Sequence, residues 1–143
     1  MANTYISKTS IEIQAAPVRV WDALTNPDLI KQYFFGTDAV SDWKAGSPLH
    51  FKGIWEGKEY LDKGMITEII PEKLLRYTYL SSFSGLEDKP ENYANIAYEV
   101  SDAQGITTLV VTQDNIPNEQ MQNHTEQNWS LVLQGLKKLV ESK

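Results

Sequence analysis

With 143 residues and 19 acidic against 13 basic side chains, the chain carries a formal net charge of −6 and has no cysteine. That length fits a single domain over residues 1–143, burying roughly two-thirds of the surface its unfolded form exposes. These figures exclude a disulfide framework, a thiolate zinc site and a cysteine nucleophile. The Lys137-Lys138 pair is the nearest approach to a basic cluster, so neither nucleic acid nor an anionic membrane is an expected partner.

In chain order, Ser7 to Ile13 alternates with Thr9, Ile11 and Ile13 on one face, which predicts a half-buried strand. Ala16-Pro17 ends it and opens a helix, because proline lacks the N–H that a first helical turn leaves unpaired. Val20, Trp21 and Leu24 then recur at helical spacing, and Asn26-Pro27-Asp28 is a fresh start signal. Two short helices, about 17–25 and 27–34, are predicted, with Gly36 closing the second.

From Gly36 to about Asn115 the pattern is strand-like. Leu49, Phe51, Gly53 and Trp55 share one phase; Met65–Ile70 stops at Pro71; Leu75, Tyr77 and Tyr79 alternate with Leu74, Arg76 and Thr78. Ile96, Tyr98 and Val100 follow, and Asp102-Ala103-Gln104-Gly105 reads as a hairpin loop into Thr107, Leu109 and Val111. Ser81–Tyr93, with Gly85, Pro90 and several charges, reads as an exposed loop.

Pro117-Asn118-Glu119 opens the last segment, where Met121, Thr125, Trp129, Val132, Leu136, Leu139 and Val140 form an apolar stripe on a helix over roughly 118–141. Consecutive strands joined by hairpins imply an antiparallel sheet with the helices on one face, an α+β domain. The long helix must lay its stripe on the concave side of that sheet.

The motif Ile11-x-Ile13-x-Ala15-Ala16-Pro17-x-x-Val20-Trp21-x-Ala23-Leu24-Thr25 resembles the opening of START-like (SRPBCC) helix-grip proteins. It is similar, more narrowly, to the branch named for homologues of the activator of a heat-shock-protein ATPase. Tyr33-Phe34-Phe35-Gly36, Asp42-Trp43-Lys44-Ala45-Gly46-Ser47, Pro71–Tyr79 and His124-x-x-x-Asn128-Trp129-x-x-x-Leu133-x-x-Leu136 extend the likeness in order, from about 6 to 140. Asn128 stands where that family commonly has glycine, and Tyr33-Phe34 where it has a tryptophan after the second helix. The resemblance implies a curved sheet of about six to seven strands wrapped around the C-terminal helix. Its members include lipid carriers, metabolite binders, cyclases and co-chaperone domains, so it implies a fold more firmly than an activity.

The chemistry-bearing residues are sparse. His50 is out of phase with Leu49, Phe51 and Trp55, and His124 lies one residue off the helical stripe; no HxxxH or HExxH spacing exists. No catalytic residue, metal site or cofactor is assigned. The aromatics carry the remaining signal. Phe34, Phe51, Trp55, Tyr77, Tyr79, Tyr98, Trp129 and Leu133 converge between the strands and the long helix if the phases hold. They either interdigitate as solid core or line an apolar cavity, gated by the Ser81–Tyr93 loop and the second short helix. In a cavity, Tyr77, Tyr79 and Tyr98 would supply the few hydroxyls that orient a ligand. Glu59, Asp62 and Glu99 fall inside or outside depending on registers the sequence leaves open.

Binding of a small hydrophobic or amphipathic ligand is the first expectation. A stress-related co-chaperone role, with a chaperone as partner, is the alternative, and a cyclase- or hydrolase-type enzyme ranks last for want of an acid–base pair. Monomer and homodimer stay open. With no signal-peptide pattern in Met1–Ile6 and no apolar run of membrane-spanning length, a cytoplasmic location is the default.

Overall fold

The computed structural model describes residues 5–82 and 85–142, without the side chain of Trp55. The elements run β1 (Tyr5–Ile13), α1 (Pro17–Thr25), α2 (Pro27–Tyr33), β2 (Asp38–Ser41), β3 (Pro48–Trp55), β4 (Lys58–Ile70), β5 (Leu74–Tyr79), β6 (Ala94–Ala103), β7 (Ile106–Ile116) and α3 (Glu119–Glu141). A 3-10 turn, Pro90–Asn92, interrupts the loop between β5 and β6. All neighbouring strands pair antiparallel, in the order β1-β7-β6-β5-β4-β3-β2. This is the expected α+β helix-grip architecture.

The helix limits follow from their caps. Pro17 occupies the first turn of α1. The Asn26 side chain accepts the Asp28 N–H at 3.0 Å and so starts α2. Asn118 does the same for α3, accepting the Met121 N–H at 2.8 Å, which places it before the helix rather than inside it. Helix α2 stops at Tyr33, one residue short of expectation, with Phe34 as its cap. Phe35 and Gly36 then both take left-handed backbone, φ 56° and 72°.

Two stretches were not separated by the sequence pattern. Strand β2 is only four residues, too short for alternation to show. Strand β4 begins at Lys58, well before Met65, because it serves two partners in turn. Its first part pairs with β3 and its second with β5, with a register shift between Ile66 and Glu68. Gly64 sits at the crossover, where a Cβ would lie 1.8 Å from the Thr78 carbonyl oxygen. Only glycine allows that approach, and the bend it permits closes the sheet around the helix. The β6–β7 hairpin is tighter than expected, a two-residue turn with Gln104 and Gly105 at φ 55° and 82°.

The core lies between the concave sheet and the helices. Ile13, Leu49, Ile66, Leu75, Tyr77, Leu109 and Val111 from the strands meet Val20, Leu24, Trp129, Leu133 and Leu136 from the helices. Burial of each such aliphatic side chain contributes on the order of 1.5–3 kcal/mol. The apolar stripe of α3 is shorter than its periodicity suggests. Its buried residues are Trp129, Val132, Leu133, Leu136 and Val140, while Met121 is 45% exposed. The first turns of α3 are instead held by side-chain hydrogen bonds to the free edge of β1. Gln122 donates to the Ile6 carbonyl at 2.6 Å, and Glu126 accepts the Lys8 N–H at 3.3 Å.

Candidate functional site

The left-handed turn after α2 sends neighbouring rings opposite ways: Phe34 is half-buried, and Phe35 is 61% exposed. Phe34 lies flat on Phe51, with centroids 5.7 Å apart and planes 14° from parallel. Its edge meets Trp129 of α3 at 6.2 Å. From Phe51 the contacts continue to Tyr77 at 6.0 Å, from Tyr77 to Tyr98 at 5.5 Å, and from Tyr98 back to Trp129 at 5.8 Å. The five rings close a circuit joining α2, β3, β5, β6 and α3. Tyr79 joins it from the side, 5.9 Å from Phe51. Offset and edge contacts of this kind are each worth about 0.5–1.5 kcal/mol beyond area burial.

Six of the eight expected residues thus meet. Leu133 is buried one turn beyond Trp129 and belongs to the shared core. Trp55 falls on β3, with its side chain outside the described residues. The space left among Leu24, Ile30, Tyr33, Phe34, Trp43, Leu49, Phe51, Leu75, Tyr77 and Tyr98 is about 10 Å³. That is the room one water needs and far below the ~150 Å³ at which an apolar cavity takes up benzene. With Phe34 in place, the space among these residues is filled.

Inside this apolar wall the polar groups are few and specific. The Tyr77 and Tyr98 hydroxyls lie 2.6 Å apart; they share one hydrogen bond between two available protons. Tyr33 donates to the Ala23 carbonyl at 2.7 Å, and the Trp129 indole N–H donates to Gln113 Oε1 at 2.9 Å. Burial raises the pKa of Tyr33, Tyr77 and Tyr98 above the ordinary tyrosine value; for Tyr33 and Tyr77 the proximity of Tyr98 adds to it. All three phenols are neutral hydrogen-bonding groups at neutral pH.

Asp62 is the buried carboxylate the sequence could not place. Its register partner is Phe51, which puts it on the concave side. It accepts hydrogen bonds from the Tyr79 hydroxyl at 2.6 Å, the Ser82 N–H at 2.8 Å and the Ser82 hydroxyl at 3.0 Å. Burial raises the Tyr79 pKa, and the negative charge of Asp62 raises it further. A general acid works best with a pKa near the operating pH, so this pair is poised for anchoring rather than proton transfer. It pins the start of the 81–93 loop. The other end is held by Asn115, whose side-chain N–H groups reach the carbonyls of Glu91 and Tyr93, both at 3.0 Å. Between them, Asp88 accepts from Tyr93 at 2.5 Å and pairs with Lys63 at 3.4 Å. The Tyr93 hydrogen bond first, and then Lys63, hold the Asp88 carboxyl below its ordinary pKa.

His50 alternates with Leu49 and Phe51 and sits opposite Lys63, away from this interior; His124 is exposed on α3. Among the described residues, no group of three His, Asp or Glu side chains could hold a metal ion. No described helix is long and apolar enough to cross a membrane. Periodicity left Asp62 open between inside and outside and gave no sign of Gln113 or the inward Tyr33 hydroxyl, since each depends on pairing register or a helix end.

The family model for activator of Hsp90 ATPase homolog 1-like proteins matches residues 14–141. No curated protein matches the chain. The solution structure of ChR145 from Cytophaga hutchinsonii is 41% identical, with a TM-score of 0.87 over 99% of this chain and 97% of that one. An Aha1 dimer from Colwellia psychrerythraea, also solved in solution, is 21% identical with a TM-score of 0.75, covering 96% of both chains. The crystal structure of Ara h 8.0201 gives a TM-score of 0.75 at 11% identity, over 98% of this chain and 99% of that one. The last two speak for the fold alone. The chain belongs to the activator of Hsp90 ATPase homolog 1-like family, within the SRPBCC helix-grip superfamily.

Proposed function

We propose that this domain binds a small apolar or amphipathic ligand between sheet and long helix, in space opened when Phe34 withdraws. The observation that carries the reading is the position of Phe34. It lies beyond the last turn of α2, half-buried, on a segment whose next two residues already occupy left-handed backbone. For Phe35 that conformation costs about 1–3 kcal/mol, so moving the segment releases strain as well as losing contacts. An aromatic plug that stacks on Phe51 and makes an edge contact with Trp129 imitates what a planar apolar guest would touch. The Tyr77–Tyr98 hydroxyl pair, with a proton to spare, supplies a polar group for orientation.

The test is titration with N-phenyl-1-naphthylamine, an uncharged apolar fluorophore, followed by its emission. Saturable binding at one equivalent is expected. Trp129→Ala should weaken it about tenfold, the loss of roughly 1.4 kcal/mol of ring contact. Phe34→Leu should tighten it, because the plug competes with the guest. A panel of lipids and aromatic metabolites that neither the native protein nor Phe34→Leu binds saturably would overturn the proposal.

A second reading rests on the tight packing around Phe34, Phe51, Tyr77 and Tyr98, which leaves about 10 Å³ among them and their neighbours, and on the family's association with a chaperone ATPase. Here the domain acts through its surface on a chaperone and needs no guest. A rise in the ATPase rate of purified Hsp90 on adding the protein supports it; an unchanged rate without measurable binding excludes it.

A further inference from the structure

The inner face of β1 carries two polar side chains in a largely apolar core. Ser7 is fully buried, and the Ser7 and Thr9 hydroxyl oxygens are both inaccessible with no hydrogen-bond partner. An unpaired buried hydroxyl is destabilising, because it has lost its water partners and gained none, so two on one strand are a feature to be explained. Register places them in the interior rows of the sheet. Ser7 is paired with Gln113, which is paired with Ile96 and, through it, Tyr77; Thr9 is paired with Val111, and through it Tyr98. With strands ~4.8 Å apart, the orphan hydroxyls lie about 10–15 Å across the sheet from the tyrosine pair. Trp129 bridges the two regions, touching Tyr98 with its ring and Gln113 Oε1 with its N–H.

The cover over this polar strip is thin. None of the α3 residues from Glu119 to Asn128 is buried, and Thr125 spends its hydroxyl on the Met121 carbonyl of its own helix. Gln122 and Glu126 reach the β1 backbone instead of its inward side chains. No basic or acidic side chain is buried beside Ser7 and Thr9: the buried polar residues of the domain are Ser7, Thr37, Asp62 and Thr107 among those described. Asp62, on β4 and far along the sheet from β1, is engaged with Tyr79 and Ser82.

We propose that Ser7, Thr9 and the Gln113 amide form a subsite for the uncharged polar head of an amphipathic guest, such as an amide or a hydroxyl, whose apolar body extends past Trp129 toward Phe51. This rests on the interior-binding reading above and adds the guest's class and orientation. A charged head would be excluded, because neutral hydroxyls and an amide cannot offset the desolvation of a full charge. An amide or alcohol both donates and accepts, as hydroxyl partners require.

Displacement of bound N-phenyl-1-naphthylamine by four ten-carbon competitors tests it: decanamide, 1-decanol, decanoate and decylammonium. The amide and alcohol should displace the fluorophore at concentrations about tenfold lower than either ion. In the Ser7→Ala/Thr9→Val variant that ratio should fall toward one, with Ser10→Ala, on the outer face of the same strand, as the control. The variant should also melt at a higher temperature than the native protein, because it removes two orphan hydroxyls. Comparing ratios within each protein cancels any change common to all four competitors. If the fluorophore binds but the neutral heads show no preference, or the variant keeps the preference, the subsite is wrong while interior binding stands. If nothing binds, interior binding fails first.

Discussion

At the scale of single residues, the consequential positions are those where space or partners leave no alternative. Gly64 is one: a methyl group there would run into the Thr78 backbone at 1.8 Å, which a strand in a paired sheet cannot yield. Gly64→Ala should destabilise the protein by about 3 kcal/mol, the upper part of the range for overpacking, read as a lowered denaturant midpoint. An unchanged midpoint would mean that β4 does not need the bend. Nothing in the sequence marked this glycine, since strand alternation there becomes visible only from Met65. Asp62 was equally hidden. Its place on the concave side follows from pairing with Phe51, whereas its three donors come from residues 17 and 20 positions away. Phe34 was legible as an aromatic at a helix end, but whether it pointed inward was decided by the left-handed turn at Phe35 and Gly36.

Among the elements, α3 is one continuous helix whose two halves are held differently. From Trp129 onward it is secured by burial; before that, by hydrogen bonds to the free edge of β1. Its far end repeats the device. Lys137 donates to the Glu12 carbonyl at 2.8 Å, and Glu141 accepts the Gln14 N–H at 2.8 Å while pairing with Lys137 at 2.6 Å. These groups occupy backbone positions that would otherwise be open to a further strand. The Gln14 N–H first, and then Lys137, hold the Glu141 carboxyl below its ordinary pKa. A depressed folded-state pKa contributes stability above the unfolded value, and loses it as pH falls through the folded one. The clip should therefore loosen below about pH 4.3, the ordinary glutamate range. The Gln14 amide resonance should shift over that window in the native protein and stay flat in Glu141→Gln. A native resonance that does not move would show that Gln14 is held by something else.

For the whole molecule, four tyrosines tie the interior's ionisation to its folding. The pKa values of Tyr33, Tyr77, Tyr79 and Tyr98 are all raised, chiefly by burial. A raised folded-state pKa contributes stability fully present below the unfolded value of about 10 and lost as pH climbs toward the folded one. Above about pH 10 the protein should thus unfold cooperatively, with tyrosinate absorbance from these four rising together with loss of far-ultraviolet dichroism. Ionisation of all four while the dichroism persists would refute the packed interior. The sequence by itself determined the α+β class, the helix-capping residues and the family, because these rest on local periodicity, capping chemistry and motifs read along one chain. Only the tertiary structure decided that Phe34, Phe51, Tyr77 and Tyr98 close around barely 10 Å³, that Asp62 anchors a loop, and that the Ser7 and Thr9 hydroxyls are buried without partners. Those outcomes depend on strand register and on where β4 bends, and a one-residue change in either reverses which side chains face inward.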